Sequence, residues 1–429
     1  MSTSSKNIPR IKNLRCLTYE WLILVPVFYL IVRSSVEEMI AIDPRKAQQT
    51  VDQRFLENLT YPMMPCSGLV RLNNGILMPR LGLGTWRAAP SEVETAVNFA
   101  IRHGYRHLDL ADRYLNHVAI GNALEDLRLS LTTKMPPIYV TTKLWNSDHK
   151  PERVRPAVLR MLRELKLDKL DLLLMHWPIA VNRTCNNNSS WYCDGEPENI
   201  PLSETWIAME KLVDEGLVVS LGVSNFGIKR LRFFRQAIEQ ANTNVFPAVN
   251  QVEIHPYLPQ AELLNFCQTM NISVVAYSPL GSPGNAAQKA PFGSPPPIFQ
   301  NRRIKQLANK RGLTSAQFVL AWLLMRGVAA VIPKSTSMRH IKENGFLHLI
   351  STSLHEKKEI GIPIFDKQHP VSCESIKGST PEWMSLHDML NMSTIGEAIK
   401  HRYVDITTKQ LKGVVRYPGE NGTKEAFWE

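Results

Sequence analysis

An acid, a phenol, an ammonium and an imidazole carry the chemistry that can be read from this 429-residue chain: Asp109, Tyr114, Lys143 and His176. Asp109 and Tyr114 lie in His107-Leu108-Asp109-Leu110-Ala111-Asp112-Arg113-Tyr114, Lys143 in Val140-Thr141-Thr142-Lys143-Leu144-Trp145, and His176 in Leu172-Leu173-Leu174-Met175-His176-Trp177-Pro178. Asp109, Lys143 and His176 each end a short aliphatic or β-branched run that reads as a buried strand, and Tyr114 stands just past one. If the strands are parallel, one edge of one sheet gathers all four groups into a proton-delivery device. Reducing a carbonyl needs such a device, because a hydride must reach carbon while a proton reaches oxygen. A tyrosine donates that proton well when a nearby ammonium stabilises phenolate and lowers its pKa from about 10. A carboxylate paired to the ammonium fixes its position, and an imidazole orients the substrate oxygen. Singly, each residue has an ordinary explanation: a strand-end Asp is usually a cap, and a lone His after an apolar run is usually core. Together at these positions the four point to catalysis.

The elements that must position them alternate strand and helix with short connections, which implies parallel strands. Strands are expected at 81–85, 107–110, 139–144, 170–176, 219–224, 248–254, 274–278 and 328–333. Amphipathic helices lie between them, among others at 91–103, 152–165, 203–215, 260–270 and 314–325, with Ser91 and Glu94 spaced as a capping box. Residues 69–79 read as a hairpin turning at Asn73-Asn74-Gly75. Eight strands over about 270 residues predict an α/β fold, a (β/α)8 TIM barrel capped by that hairpin, with its site at the C-terminal strand ends. The chain divides into an N-terminal extension (1–62), the barrel (63–345) and a divergent C-terminal region (346–429), where the rhythm fails. Long loops at 179–202 and 281–300 are expected on the catalytic face, to shape substrate access.

Composition narrows the function classes. A hydrophobic content of 44% and a charged content of 21% are those of a globular protein. The net charge of +11 admits nucleic acid, a membrane surface or a phosphorylated ligand. The basic residues are scattered without interleaved aromatics, so no nucleic-acid partner is expected. Cys16, Cys66, Cys185, Cys193, Cys267 and Cys373 show no metal-ligand spacing, so no metal is expected, and free cytosolic thiols are favoured over a Cys185–Cys193 bridge. The apolar segment 21–32 could hold the chain to a membrane, but Pro26 interrupts it and it is too short to span a bilayer. Asn-x-Ser/Thr triplets at Asn58, Asn182, Asn187, Asn188, Asn271, Asn391 and Asn421 matter only in the secretory pathway. A cytoplasmic monomer acting on a small carbonyl compound is the expectation.

Two motifs need separating from look-alikes. Gly82-Leu83-Gly84-Thr85-Trp86-Arg87 has G-x-G without a third glycine in phase, so the dinucleotide fingerprint of the doubly wound fold is absent. Tyr139-Val140-Thr141-Thr142-Lys143 matches the Tyr-x-x-x-Lys of short-chain dehydrogenases, which requires a helix. Its Val-Thr-Thr centre favours a strand, which would hold the two side chains about 13 Å apart.

Several longer motifs resemble one family. They are Gly82-Leu83-Gly84-Thr85-Trp86, Gly104-Tyr105-Arg106-His107-Leu108-Asp109, His176-Trp177-Pro178, Gly222-Val223-Ser224-Asn225-Phe226, Asn250-Gln251-Val252-Glu253, Tyr277-Ser278-Pro279-Leu280-Gly281-Ser282 and Ile332-Pro333-Lys334-Ser335. From Gly68 to Asn344 the chain resembles the aldo-keto reductases, with the strongest likeness to animal aldehyde and aldose reductases. The resemblance implies a (β/α)8 barrel that binds NADPH without a Rossmann domain. It makes Asp109, Tyr114, Lys143 and His176 the catalytic tetrad, with Tyr114 as proton donor. It implies cofactor contacts at Thr85, Trp86 and Asp109, carboxamide contacts at Ser224, Asn225 and Gln251, and a nicotinamide stack on Tyr277. Ser278, Leu280 and Ser282 match the loop over the pyrophosphate, Lys334 and Ser335 the 2′-phosphate contacts, and Glu343 and Asn344 the adenine contacts. Trp86, Trp145, His176 and Trp177 match the substrate pocket. A lysine beside a serine also suits a phosphate ester on chemical grounds, since both donate to its oxygens.

The chain departs from the family in three places. His340 stands where the family usually has an arginine among its cofactor contacts, with Arg339 one place earlier. His117 stands where a glutamate is common. The family's closing C-terminal segment is not recognisable after Asn344, although Ile364-Phe365-Asp366 resembles a displaced fragment of it. The apolar segment 21–32 and the altered tail keep a second reading open, a nucleotide-binding regulatory or membrane-associated barrel subunit with little or no catalysis; the intact tetrad favours the enzyme.

Overall fold

Strands β1 (Leu69–Arg71) and β2 (Leu77–Pro79) pair antiparallel, Val70 opposite Met78, around the Asn73-Asn74-Gly75 turn. Gly75 supplies the positive φ of 84° that the turn needs. The computed structural model describes residues 68–130, 137–182, 197–243, 245–283, 296–345, 388 and 391–395. The apolar segment 21–32, the Cys185–Cys193 pair and Ile364-Phe365-Asp366 lie outside the described residues, as does the greater part of the two terminal regions.

Eight parallel strands follow, from β3 (Leu83–Gly84) through β4 (His107–Asp109), β5 (Tyr139–Leu144) and β6 (Leu170–Met175). A short antiparallel ribbon, β7 (Ala180–Val181) with β8 (Pro197–Glu198), interrupts the series inside the first long loop. The sheet resumes with β9 (Val218–Ser224), β10 (Val249–Glu253), β11 (Ser273–Tyr277) and β12 (Ala330–Val331). Each main strand pairs with the next of the series in parallel. Parallel bridges Leu81–Val331 and Gly84–Lys334 join the last strand to the first, and Gly82 N–H donates to Val331 O at 3.0 Å. That pairing closes the sheet into the (β/α)8 barrel and removes its edges.

The hairpin seals the N-terminal end of the strands. Leu72 and Met78 are buried in a cluster with Leu172, Val249, Val275 and Ala330. Polar ties hold it there: Asn74 Nδ2 donates to Ser220 Oγ at 2.8 Å, and His107 bridges Pro79 O at 3.1 Å and Thr141 Oγ1 at 2.9 Å. With one mouth plugged, only the C-terminal end of the strands is open to build a site.

The outer layer comprises α1 (Pro90–Arg102), α2 (His117–Ser130), α3 (Pro151–Leu165), α4 (Leu202–Asp214), α5 (Ile228–Gln240), α6 (Ala261–Thr269), α7 (Arg302–Lys310), α8 (Ser315–Met325) and α9 (Met338–Asn344). The expected Ser91–Glu94 capping box is corrected: α1 starts earlier, with Pro90 at its first position, and the Ala89 N–H donates to the Glu92 carboxylate at 3.3 Å. Proline favours that place because its fixed φ suits the first turn and no amide donor is needed there. On α8 the box is complete, with Thr314 Oγ1 accepting from Gln317 N–H at 3.2 Å and Gln317 accepting from Thr314 N–H at 3.1 Å. Among the described residues, no helix is long and apolar enough to cross a membrane.

Candidate active site

Asp109, the last residue of β4, is tied on both carboxylate oxygens. Oδ1 accepts from Lys143 Nζ at 2.6 Å and Oδ2 from Gln251 Nε2 at 2.6 Å. Lys143 stands near the end of β5, wholly buried, and also donates to Leu110 O at 2.6 Å. Its third neighbour is the Tyr114 hydroxyl at 3.4 Å, and the ammonium lies 5.1 Å from the phenol ring centre. Tyr114 gets there because a 3-10 turn, Asp112–Tyr114, folds it back over the strand ends, and Leu115 reverses the chain at a φ of 57°. His176 follows β6, with its ring 6.1 Å from that of Tyr114 in an edge-on arrangement. All four residues therefore meet over one mouth of the barrel.

The aromatic wall is local. Trp145 approaches the His176 ring edge-on at 5.1 Å, and Trp177 lies nearly parallel to it at 6.2 Å. Trp86 lies just past β3, with the Arg87 guanidinium 4.7 Å above its ring. Thr85 is buried; its hydroxyl donates to Asp109 O at 2.9 Å and so fixes the backbone of the acid.

A hydrogen-bonded chain crosses the mouth from Asp109. Gln251 O accepts from Ser224 Oγ at 2.8 Å, and Ser224 Oγ accepts from Asn225 Nδ2 at 3.2 Å. Asn225 Oδ1 accepts from the Tyr277 hydroxyl at 2.8 Å, while its Nδ2 also reaches His176 O at 3.0 Å. Asn225 holds a left-handed φ of 65°, as do Ser278 at 47° and Ser282 at 44°. Such conformations cost free energy in residues with a Cβ and gather at functional loops. Ser282 Oγ donates to Ser278 Oγ at 2.7 Å and folds this loop, which carries Leu280, on itself.

Beyond β12, Lys334 bridges to Gly84, and Ser335 Oγ accepts from Ser337 N–H at 3.1 Å. Desolvation lowers the Lys334 pKa, with the Glu92 carboxylate raising it and the Arg87 guanidinium lowering it. His340 Nε2 lies 3.0 Å from an Arg339 guanidinium nitrogen. Glu343 O accepts from Gln317 Nε2 at 3.2 Å, and Asn344 is buried at the end of α9.

The electrostatics correct one expectation. Lys143 was expected to draw the Tyr114 pKa down, yet it lies well above the usual phenol value, because burial, the Asp109 charge and Tyr277 all disfavour phenolate. Lys143 gives its short contacts to Asp109 and Leu110 O, and its own pKa is lowered by burial against the opposing pull of Asp109. Tyr114 is thus held as a neutral acid. Burial, Lys143 and His149 push His176 well below its usual pKa, so its imidazole is neutral.

Three contributors escaped sequence reasoning. Asn116 Nδ2 donates to Thr85 O at 3.0 Å and Ala88 O at 3.2 Å, pinning the Tyr114 turn to the loop after β3. Arg87 adds a second positive charge in the electrostatic neighbourhood of Lys334. His149 is fully buried, its own pKa pushed down to about 3. These contacts span elements far apart in the chain, so sequence spacing carries no signal for them.

Comparison with known proteins agrees with this architecture. The profile of the Aldo/keto reductase family matches residues 80–358. The zebrafish (Danio rerio) Aldo-keto reductase family 1 member A1-A is 40% identical over 280 residues, covering 64% of this chain and 83% of that protein. The human (Homo sapiens) Aldo-keto reductase family 1 member A1 is 40% identical over 296 residues, covering 68% and 87%. Among solved structures, a Bombyx mori aldo-keto reductase in complex with NADP superposes with a TM-score of 0.61 at 31% identity, covering 79% of this chain and 95% of that one. The aldose reductase from Schistosoma japonicum superposes with a TM-score of 0.60 at 33% identity, covering 78% and 93%. This chain belongs to the aldo/keto reductase family and is an oxidoreductase.

Proposed function

We propose that the protein reduces aldehydes and ketones to alcohols with NADPH, and that Tyr114 delivers the proton. The observation carrying this reading is the Tyr114 hydroxyl, 3.4 Å from Lys143 Nζ and edge-on to His176, beneath an aromatic wall. The donor set fits the cofactor. Lys334 and Ser335 offer a charge and a hydroxyl to the 2′-phosphate, Ser278 and Ser282 line the pyrophosphate loop, and the Tyr277 ring receives the nicotinamide. Ser224, Asn225 and Gln251 present amide and hydroxyl groups to the carboxamide, exchanging contacts they now make with one another. The relative from Bombyx mori, a complex with NADP, supports the same choice.

When bound, the cofactor supplies the hydride, and this chain's residues do the rest. His176, neutral, orients the carbonyl oxygen toward the phenol. Tyr114, held protonated, releases its proton to that oxygen as negative charge develops there. Lys143 then stabilises the phenolate left behind, and Asp109 holds Lys143 in place. Trp86, Trp145 and Trp177 exclude water and favour apolar or aromatic substrates. The barrel spans 63–345 and acts as a cytoplasmic monomer on small molecules. Following NADPH absorbance with an aromatic aldehyde tests the reading: carbonyl-dependent oxidation is expected, and its absence would refute it.

A further inference from the structure

Outside the mouth of the barrel, α2 and α3 bring together a histidine and two carboxylates that the proposed reaction does not use. His117 is 2% exposed at the start of α2, Glu164 stands near the end of α3, and Asp112 opens the 3-10 turn that ends in Tyr114. One atom from each, a histidine ring nitrogen and two carboxylate oxygens, lies within 4.8 Å of the others. His117 Nε2 is 3.1 Å from Thr142 Oγ1, and that hydroxyl donates in turn to Met161 Sδ at 4.0 Å. With the Thr142 hydroxyl turned to Met161, its oxygen accepts from Nε2–H and Nδ1 keeps its lone pair; with the hydroxyl turned to Nε2, Nδ1–H faces Glu164 instead. Nδ1 is buried, makes no hydrogen bond and faces Glu164 Oε2 at 3.4 Å. In the first tautomer two electron-pair donors face each other, an arrangement that a metal ion relieves as a proton on Nδ1 would, with Arg160 Nε 3.9 Å from Glu164 Oε1.

We propose that Asp112, His117 and Glu164 form a binding site for a divalent transition-metal ion of the zinc type. Ligands of tetrahedral zinc sit about 2.0–2.2 Å from the metal, hence about 3.4 Å from each other, which is the His117–Glu164 spacing. A neutral imidazole and two carboxylates are the borderline donor set zinc accepts. The Nε2–H bond to Thr142 is the outer contact that commonly orients a metal-binding histidine. Arg160 now holds the cation's place on Asp112, donating to its two oxygens at 2.9 and 2.8 Å. Its side chain is 40% exposed and can swing into solvent, so metal and guanidinium compete for Asp112. Because Asp112 and Tyr114 share one turn, an ion here braces the segment that presents the phenol.

The test is equilibrium binding of Zn2+ alone to the dialysed full chain, in competition with a chromophoric chelator. Wild type should bind one more ion per chain than His117→Gln, which keeps a polar contact for Thr142 while removing the ligand. Glu164→Gln, at a half-exposed position, should weaken that site at least tenfold and decides the matter if His117→Gln misfolds. Arg160→Ala should tighten it severalfold, the reverse of what a purely structural ion pair would give. Equal zinc uptake by wild type and both ligand variants, or no uptake at all, would overturn the proposal.

Discussion

Tyr114 and His176 are opposed in charge preference but alike in outcome, since burial keeps both neutral. The consequence is a specific pH dependence. The raised Tyr114 pKa keeps the proposed proton donor loaded as pH rises, and the depressed His176 pKa keeps the imidazole uncharged as pH falls. Initial-rate measurements of carbonyl reduction should therefore give a kcat/KM nearly flat from about pH 6 to 9, with no step near the ordinary imidazole value of about 6.5. A step there that disappears in His176→Gln would show that the imidazole titrates and contradict the burial argument. Cofactor preference belongs to the same scale. On the proposed function, Lys334 and Ser335 would favour NADPH over NADH, while His340 already engages Arg339 and offers less to a phosphate than a guanidinium would. His340→Arg should tighten NADPH by a charge-assisted contact, about 1.5–3 kcal/mol, and leave NADH unchanged in fluorescence titrations.

Among the elements, close approach between α2 and α3 decides what their side chains can do. A Cβ at Gly121 would sit 2.2 Å from Glu164 O, so glycine alone lets α2 lie this near the end of α3. The same contact brings His117 to Glu164 one turn away. Gly121→Ala should cost about 1–3 kcal/mol through the forced backbone shift, read as a lowered melting temperature. Elements with strong periodicity were legible in the sequence: the β5 range is the expected one, and Tyr139 and Lys143 stand on a strand, which excludes the helical Tyr-x-x-x-Lys motif. Contacts between elements were not legible. Gln251 reaching Asp109, Asn116 reaching Thr85 and Gly121 meeting Glu164 depend on barrel closure, which local periodicity does not encode.

Across the whole molecule, the candidate site was legible because parallel strands put their C-terminal ends on one side, so three side chains at strand ends, and Tyr114 just past one, had to converge. The region after Asn344 was not, since weak periodicity gives no element to place. Its described residues nonetheless pack: Asp388 is fully buried in an ion pair with Arg311, Asn391 bonds Arg303, and Met392 is buried. Removing everything beyond residue 345 should therefore lower the melting temperature, by losing at least about 3 kcal/mol of buried apolar surface and pairing. We propose that residues 1–62 are dispensable for the barrel, so a chain starting at Met64 should stay soluble and keep NADPH binding. Parallel thermal melts of the two truncations check both statements, and the reverse ranking would contradict them.

The central claim is that Tyr114 is the proton donor, and Tyr114→Phe tests it most directly. The substitution removes one oxygen and leaves the ring, the Lys143–Asp109 pair and the proposed cofactor contacts in place. The account predicts that kcat for reduction of an aromatic aldehyde falls at least about a hundredfold while the NADPH Kd stays within about twofold of wild type. Near-normal turnover in the variant would contradict it.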